Sequence, residues 1–500
     1  MIEAAISPKT LCRNDLCVNN EIDAIENIGF ERELCVVDMI KKNDIHVVQK
    51  NNRYTVFHPE SLNLFSVTED VGKILKLCET NSKYKYFETK NVINNLLNRI
   101  SEKIEFDSTN GPKWSNSEPR TLNLVISQDC NLKCGYCYAD HGTYGFEKKF
   151  MSYDTAKKCI DKLLNKDYDN HIVFFGGEPL LNFNLIKKID YYLNKKNINR
   201  KYAMITNGTI MNDEIKNFIN EKFSNLWISL DGSKDINDMQ RFGITESVHD
   251  RIVETIDKLY PRYYPIIIKS IVTKRNSNKL AEIVEHISSL NIDYIDIKPV
   301  KDVPPESEFF MTDEDYRIYI TELANILANN INKLANGENV KLTSYIYPIL
   351  MHMITKTRMI NGCFAGRELI TITADGDVYP CGIYIGLNEF HMGNVHDEDF
   401  PGEKFKQLRE MFYKINVYNS PDCNICWARF LCGGGCHWRS YIAHGDPSRP
   451  TEQRCLEMKT ILEALLPEIA EIFSDEVKTK KVLKYLKLYK QNEAMTALSN

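Results

Sequence analysis

The chain has 500 residues, more than one hydrophobic core usually organises, so two to four domains are expected. Its 63 Lys and Arg against 68 Asp and Glu give a net charge of −5, which lends nucleic-acid binding no support. No apolar run approaches the roughly 20 residues that span a bilayer, and no basic segment followed by an apolar one opens the chain. The sequence therefore predicts a cytoplasmic protein without a nucleic-acid or membrane partner, whose 15 cysteines are metal ligands rather than disulfides.

The N-terminal region predicts a small α+β domain over residues 41–110, after a segment, 1–40, whose pattern predicts no structure. Three short strand patterns lie over 46–49, 54–57 and 62–67. A helix follows, with Thr68 as its cap, and a second helix is predicted over about 89–103. Residues 106–120 are typical of a linker because they combine Gly, Pro, Asn and Ser.

From residue 116 to 305, strands and helices alternate. Apolar strand patterns recur over 122–126, 172–175, 203–206, 226–230, 266–272 and 294–297. Amphipathic helix patterns separate them, for example over 153–164 and 252–259. The alternation of strands and helices predicts a parallel sheet with crossover helices. Six βα units, two fewer than in a closed barrel, predict a partial (β/α)6 barrel. The sequence pattern predicts a helical bridge over residues 306–360 and C-terminal helices over residues 461–500.

Three cysteines follow the first of these strands: Cys130, Cys134 and Cys137. Gaps of three and two residues allow one loop to wrap around a metal centre. Three thiolates on a 4Fe–4S cluster leave one of its irons open for another ligand. Zinc also binds cysteines at short spacing, so this triplet alone leaves a structural zinc site as an alternative.

Tyr136 gives the loop the pattern CxxxCx-aromatic-C, which resembles the radical S-adenosylmethionine (SAM) superfamily. The resemblance implies a 4Fe–4S cluster whose open iron binds the amino and carboxylate groups of SAM. It implies reductive cleavage of SAM to a 5′-deoxyadenosyl radical, which abstracts hydrogen from a substrate. A low-potential electron donor such as ferredoxin or flavodoxin is then a partner. The six βα units match the partial barrel of that fold.

Distinctive residues also follow the later strands, at the carboxyl ends where parallel α/β folds collect their functional groups. With Tyr136 of the cysteine loop, the candidate cofactor-binding residues are Gly176, Gly177, Glu178, Asn207, Ser229, Arg241 and Pro299. Each alone is ordinary turn or surface chemistry. By the resemblance, the Gly-Gly-Glu motif meets the methionyl amino group, Ser229 and Arg241 serve the ribose and carboxylate, and Pro299 lies near the adenine.

Seven cysteines occupy residues 361–460: Cys363, Cys381, Cys423, Cys426, Cys432, Cys436 and Cys455. Their spacing resembles the SPASM domain, an auxiliary-cluster module of peptide-modifying radical SAM enzymes. By that resemblance, Cys423, Cys426, Cys432 and Cys455 hold one auxiliary 4Fe–4S cluster. Cys363, Cys381 and Cys436 hold a second that has one iron without a cysteine, which makes three clusters in all. Two zinc sites, one completed by His437, are the alternative.

These features predict an oxidoreductase-type peptide maturase that acts on a precursor peptide or protein, with no catalytic residue identified beyond the clusters. A thioether from cysteine sulfur to carbon is the predicted product, because a substrate thiolate could bind the open auxiliary iron. The N-terminal pattern resembles winged-helix peptide-recognition elements, which take a leader peptide as an added strand; a packing domain without a partner is equally favoured.

Two alternatives remain. Anaerobic sulfatase maturation forms formylglycine, but in that branch an aspartate follows the position of Cys381, where this chain has Gly382. A zinc-stabilised peptide-binding protein without turnover is the alternative from another class.

Overall fold

The computed structural model describes residues 45–80, 119–342 and 344–491. The N-terminal segment 1–40, the second predicted helix at 89–103 and most of the predicted linker lie outside these residues.

The N-terminal unit is a three-stranded antiparallel sheet with a helix beside it. Its strands are β1 (His46–Lys50), β2 (Arg53–His58) and β3 (Asn63–Val67), paired in the order β1-β2-β3. Asn51 and Asn52 join β1 to β2 with φ angles of 48° and 59°, the left-handed pair that a two-residue hairpin turn requires and Asn tolerates. The three predicted strands are confirmed.

Helix α1 (Glu69–Thr80) covers this small sheet and buries Leu75 against it. Gly72 makes the contact close, since a Cβ there would lie 2.0 Å from the Tyr54 ring. The predicted side-chain cap is wrong: the Thr68 hydroxyl is buried without a hydrogen-bond partner. The acidic residues of the first turn interact favourably with the helix dipole.

The large sheet contains the six predicted parallel strands, which are β4 (Thr121–Gln128), β6 (Asn170–Gly176), β7 (Arg200–Thr206), β8 (Phe223–Ser229), β9 (Ile266–Val272) and β10 (Tyr294–Pro299). The helices between them are α2 (Tyr153–Leu163), α3 (Phe183–Lys196), α4 (Asp213–Lys222), α5 (Lys234–Gln240), α6 (Val248–Lys258) and α7 (Leu280–Ser289). Every residue of β4 is buried, as expected of a parallel strand covered on both faces. The predicted α/β partial barrel is confirmed.

Three short strands extend this sheet: β5 (Lys149–Phe150), β11 (Leu369–Ile372) and β12 (Val378–Tyr379). β11 pairs in parallel with β4, β12 pairs with β11, and β5 covers the remaining end of β4. The order is β10-β9-β8-β7-β6-β4-β11-β12. The cysteine-rich region therefore continues the core sheet, which the sequence did not predict because strands this short leave little periodic pattern.

The remaining helices are α8 (Asp313–Asn336), α9 (Ile346–Thr355), α10 (Glu403–Lys414), α11 (Arg429–Cys432), α12 (His437–His444), α13 (Glu452–Ser474) and α14 (Glu476–Gln491). A capping box of Thr312 and Asp315 begins α8, and left-handed Gly337 ends it. α13 packs along α8 and also contacts the N-terminal sheet, where Lys50 Nζ lies 2.6 Å from a Glu468 oxygen. No helix in the described residues is long and apolar enough to cross a membrane.

Candidate active site and cluster ligands

The cysteine loop (residues 129–137) leaves the carboxyl end of β4 and carries the three predicted ligand cysteines. Lys133 N–H donates to the Phe242 carbonyl at 2.6 Å, and Gly135 N–H donates to the Gln240 carbonyl at 3.0 Å. A Cβ on Gly135 would lie 2.3 Å from the Phe309 ring, so glycine is required for this close approach. These contacts fix the loop against the end of α5 and the segment that follows it.

Two thiols of the cysteine loop, those of Cys130 and Cys134, lie in partly buried positions. Burial raises the pKa of Cys130 to about 12 and that of Cys134 to about 11. Such thiols stay protonated at neutral pH until a metal centre takes the place of the proton. The Asn207 amide lies 3.6 Å from Cys130 Sγ, and an Arg241 nitrogen lies 3.8 Å from Cys134 Sγ. Two predicted cofactor-binding residues therefore meet the predicted ligands.

Gly176 and Gly177 let the end of β6 lie directly against the start of the cysteine loop. A Cβ on Gly176 would be 2.3 Å from the Ser127 carbonyl oxygen, and one on Gly177 would be 2.3 Å from that of Asp129. Gly176 also has a φ of 134°, which side chains rarely adopt. The glycine pair thus serves backbone packing beneath the loop.

Glu178 is fully buried and accepts three internal hydrogen bonds. Asn207 N–H donates at 2.7 Å, the Thr206 hydroxyl at 2.8 Å and Leu180 N–H at 3.0 Å. Burial raises the pKa of this carboxyl to about 7, and the three donors oppose the rise. In this arrangement Glu178 joins the ends of β6 and β7, and it holds Asn207 over the cysteine loop.

Asp231 is a site residue that the sequence analysis did not single out. It is fully buried and accepts hydrogen bonds from the Tyr136 hydroxyl at 2.5 Å, Arg241 Nε at 3.0 Å and Ile271 N–H at 3.0 Å. It therefore joins the cysteine loop, the predicted carboxylate-binding arginine and β9. Its signal in the sequence was its place two residues after Ser229, at the end of β8.

Ser229 and Pro299 lie at the carboxyl ends of β8 and β10, as predicted. Ser229 is the register partner of Lys269 on β9. The Pro299 carbonyl accepts a hydrogen bond from Arg439 at 3.3 Å, which ties this strand end to the cysteine-rich region.

The seven C-terminal cysteines form two groups in space. In the three-cysteine set (Cys363, Cys381 and Cys436), burial raises the pKa of Cys381 to about 12, and the other two thiols add to the rise. In the four-cysteine set (Cys423, Cys426, Cys432 and Cys455), burial raises the pKa of Cys455 to about 12, and its three neighbours again add to it. The resemblance implied the same two sets, and their roles as cluster ligands remain a prediction.

The donor chemistry of these groups fits iron–sulfur clusters, which bind cysteine thiolates. Among the described residues, no three His, Cys, Asp or Glu side chains are arranged to hold a single metal ion. Thiolates around a cubane bind different irons and therefore lie farther apart than ligands of one ion. His437 packs its ring on Phe412 with centroids 5.8 Å apart, while its buried Nδ1 has no hydrogen-bond partner.

Tyr138, directly after Cys137, lies between the cysteine loop and the three-cysteine set. Burial raises the pKa of its phenol, and the nearby Cys381 and Cys137 thiols add to the rise. A Cβ built on Gly382 would lie 3.6 Å from the Tyr138 hydroxyl oxygen. The two groups of cysteines therefore approach each other across one aromatic side chain.

Comparison with known proteins supports this interpretation. Residues 124–288 match the model of the radical SAM superfamily, and residues 363–427 match that of SPASM, an iron–sulfur cluster-binding domain. An uncharacterized protein of Methanocaldococcus jannaschii is 34% identical over 287 residues, covering 56% of this chain and 89% of that protein. A cysteine-type anaerobic sulfatase-maturating enzyme of Clostridium novyi is 26% identical over 341 residues, covering 63% and 88%.

Among solved structures, native anSMEcpe with bound AdoMet and Cp18Cys peptide superposes with a TM-score of 0.59. Its identity to this chain is 22%, and the match covers 71% of this chain and 99% of that one, so the likeness shows the fold. Fold and site together define an iron–sulfur enzyme that binds SAM. The chain belongs to the radical SAM superfamily and carries a SPASM domain, and SAM and several 4Fe–4S clusters are its cofactors. The alternative of a zinc protein without turnover is set aside.

Proposed function

We propose that this enzyme joins a cysteine sulfur of a peptide or protein substrate to a carbon atom, forming a thioether. The three-cysteine set carries the proposal, because three thiolates leave one of four irons without a protein ligand. Its nearness to Tyr138 supports a substrate that touches both cysteine groups. The peptide in the anSMEcpe structure and the sulfatase-maturating activity of the Clostridium novyi relative support a peptide or protein as the substrate class.

When bound, the cofactors supply a 5′-deoxyadenosyl radical at the cysteine loop and an open iron for a substrate thiolate at the three-cysteine set. The substrate loses two hydrogens. One would leave its carbon as a hydrogen atom, which turns the 5′-deoxyadenosyl radical into 5′-deoxyadenosine, and the other would leave its thiol as a proton. The electron released when the carbon–sulfur bond forms would pass to the auxiliary cluster that Cys363, Cys381 and Cys436 would hold. Arg241 and Asn207 hold the loop thiols in place, and Tyr138 separates the two centres.

Formylglycine formation is the second candidate, favoured by the sulfatase-maturating relative. It needs a base where the aspartate of that branch lies, and this chain has Gly382 there. A Cβ on Gly382 would lie 2.7 Å from the Phe175 ring, so an aspartate would require this ring to move. The site therefore favours a reaction that does not use a carboxylate at this position.

The N-terminal unit supports a role in holding the leader of a precursor peptide. Within the described residues, β1 and β3 are the edges of its sheet, and an edge strand can pair with an added peptide strand. The unit is also fixed to the SPASM domain, because the His46 ring stacks on Trp427 at 3.6 Å. A peptide held there would be anchored to the module that carries the auxiliary clusters.

The experiment starts with the anaerobically reconstituted full chain, for which three clusters predict roughly 12 irons. The enzyme, SAM and a reductant are then incubated with a pool of cysteine peptides that have random flanking residues. A thioether product keeps its sulfur, loses two hydrogens and no longer reacts with iodoacetamide. Formylglycine instead loses the sulfur, so mass spectrometry separates the two candidates.

Three variants complete this test. Cys130→Ala removes a loop ligand and should stop 5′-deoxyadenosine formation, whereas Cys363→Ala should keep that formation and lose the thioether. His437→Gln should leave the electron paramagnetic resonance spectrum of the auxiliary clusters unchanged, since an altered spectrum would mean that this histidine closes the open iron. Thioether formation that survives Cys363→Ala would refute the role of the three-cysteine set.

A further inference from the structure

Around two lysines of the barrel region, positive charges outnumber the carboxylates. Lys269 lies at the centre of β9, among isoleucines, and Lys301 follows β10 by two residues. Both side chains are half-buried. Within the described parts of the chain, neither amine forms an ion pair or a hydrogen bond. An ammonium group in such surroundings is costly unless an anion accompanies it.

Strand register fixes the direction of the first lysine. Parallel pairing aligns Ser229, Lys269 and Asp296 across β8, β9 and β10. Side chains alternate between the two faces of a strand, and Ile295 and Ile297 occupy the opposite face in the hydrophobic core. The row that contains Lys269 therefore faces the interior of the barrel, beside the residues assigned to SAM.

Nearby carboxylates already have partners. Asp296 Oδ1 lies 3.3 Å from Lys298 Nζ, and Asp231 is paired with Arg241. The Lys298 ammonium also lies 4.7 Å from the centre of the Tyr345 ring. Asp296, the register partner of Lys269, lies beside that lysine as well as Lys298, so one carboxylate serves several cations and an excess of positive charge remains.

The Lys301 ammonium lies near the three-cysteine set. Burial raises the pKa of Cys381, and the nearby Lys301 ammonium opposes that rise. Arg439 of α12 donates to the Val300 carbonyl at 2.8 Å, which holds the segment carrying Lys301 against the SPASM domain. The excess positive charge therefore lies between the residues assigned to SAM and the auxiliary cysteines, where the proposed substrate would bind.

We propose that Lys269 and Lys301 bind a carboxylate of the substrate, so that the enzyme prefers peptides with an acidic residue close to the modified cysteine. This inference rests on the peptide-modifying function proposed above and names the class of its substrate. The carboxylate of SAM offers the same chemistry. It is assigned to Ser229 and Arg241, however, and Lys301 lies on the side of Cys381.

Carboxylate binding at this site has an upper pH limit. Burial lowers the pKa of Lys269 to about 8; Asp296 opposes this shift, and Lys301, Lys298 and Arg241 reinforce it. The amine is charged below that pH and attracts a carboxylate. Above it, affinity for an acidic peptide should fall while affinity for a neutral peptide stays constant.

The test measures binding and chemistry separately. Two fluorescent nonapeptides contain one cysteine and differ in having two Glu or two Gln residues beside it. Their affinities for the SAM-loaded holoenzyme are measured by fluorescence anisotropy. The Glu peptide should bind about tenfold more tightly, as one charge-assisted contact allows. Lys269→Gln or Lys301→Gln should remove this preference, Lys301→Arg should keep it, and Lys166→Gln, which removes an exposed lysine before β6, should not change it.

Each outcome is informative. Equal affinity for the two peptides, or no binding of either, would overturn the carboxylate site whatever the chemistry. A Lys301→Gln variant with a raised KM for SAM and an unchanged peptide preference would assign the lysines to SAM and also overturn it. A preference for the Glu peptide whose cysteine still reacts fully with iodoacetamide would keep the site and refute thioether formation.

Discussion

Replacing Asp231 with asparagine tests the charge balance beneath the cysteine loop. Asp231 has no exposed surface, and its partner Arg241 has a side chain that is 7% exposed. Asparagine keeps the shape and one acceptor oxygen but leaves the guanidinium without a counter-charge. Removing one partner of a buried pair costs about 3 to 5 kcal/mol, and we expect the lower value, about 3 kcal/mol, because an acceptor remains.

Thermal unfolding of the apo protein, followed by circular dichroism, measures this effect. About 3 kcal/mol corresponds to a fall in Tm of roughly 6 to 12 °C for a unit of about 150 to 250 residues. Asp375→Asn is the matched control, because Asp375 pairs with Lys149 at 2.6 Å and both side chains are exposed. Such surface pairs contribute less than about 1 kcal/mol.

The double variant Asp231→Asn with Arg241→Gln should recover part of the lost stability, because no unpaired charge is then buried. A single variant that loses no more stability than the Asp375→Asn control would refute the claim that Asp231 balances Arg241. So would a double variant whose loss is the sum of the two single losses.

The remaining predictions concern the residues around the loop. Gly177→Ala would place a methyl group 2.3 Å from the Asp129 carbonyl oxygen, so the cysteine loop should move and the reconstituted enzyme should lose about a third of its iron. An unchanged iron content would refute this prediction. The control is Gly402→Ala, whose added methyl group would meet no atom closer than 3.4 Å. Burial raises the pKa of Glu178 from 4.5 to about 7, so between these values the folded chain holds a proton that the unfolded chain has released. The apo protein should therefore lose about 3 kcal/mol of stability as the pH rises through this range. Because Glu178→Gln removes this titration, the Tm of wild type minus that of the variant should fall from pH 5 to 7, and a constant difference would contradict the assignment.

The sequence predicted the elements that have long, strongly patterned segments. Each of the six barrel strands has six to eight residues and contains several apolar ones, and the residues that follow them were found where parallel strands end. Asp231 and Lys269 escaped prediction because their roles depend on strand neighbours. The charge partner of Asp231 is ten positions away, and Lys269 is distinguished by forming no ion pair or hydrogen bond with the residues that the structure describes.

The extension of the core sheet by β11 and β12 was not predicted from the sequence, for a different reason. β11 has four residues and β12 has two, and their stability comes from pairing with an existing edge rather than from their own pattern. Thr68 shows the opposite error: its residue type is typical of a cap, but its hydroxyl is buried away from the first turn's N–H groups. Local preference predicts the position of the helix start and not the contact that forms there.

The pairing of β11 with β4 has a consequence for assembly. β4 leads into the cysteine loop, and β11 leads through β12 to Cys381, so backbone hydrogen bonds between adjacent strands connect the two metal-binding regions. The spacing across which an electron must pass is therefore fixed by the polypeptide before any iron is inserted. Chains cut before β11 would expose an unpaired strand edge, and such edges promote aggregation. The radical core and the auxiliary module are thus expected to fold, and to be expressed, as one unit.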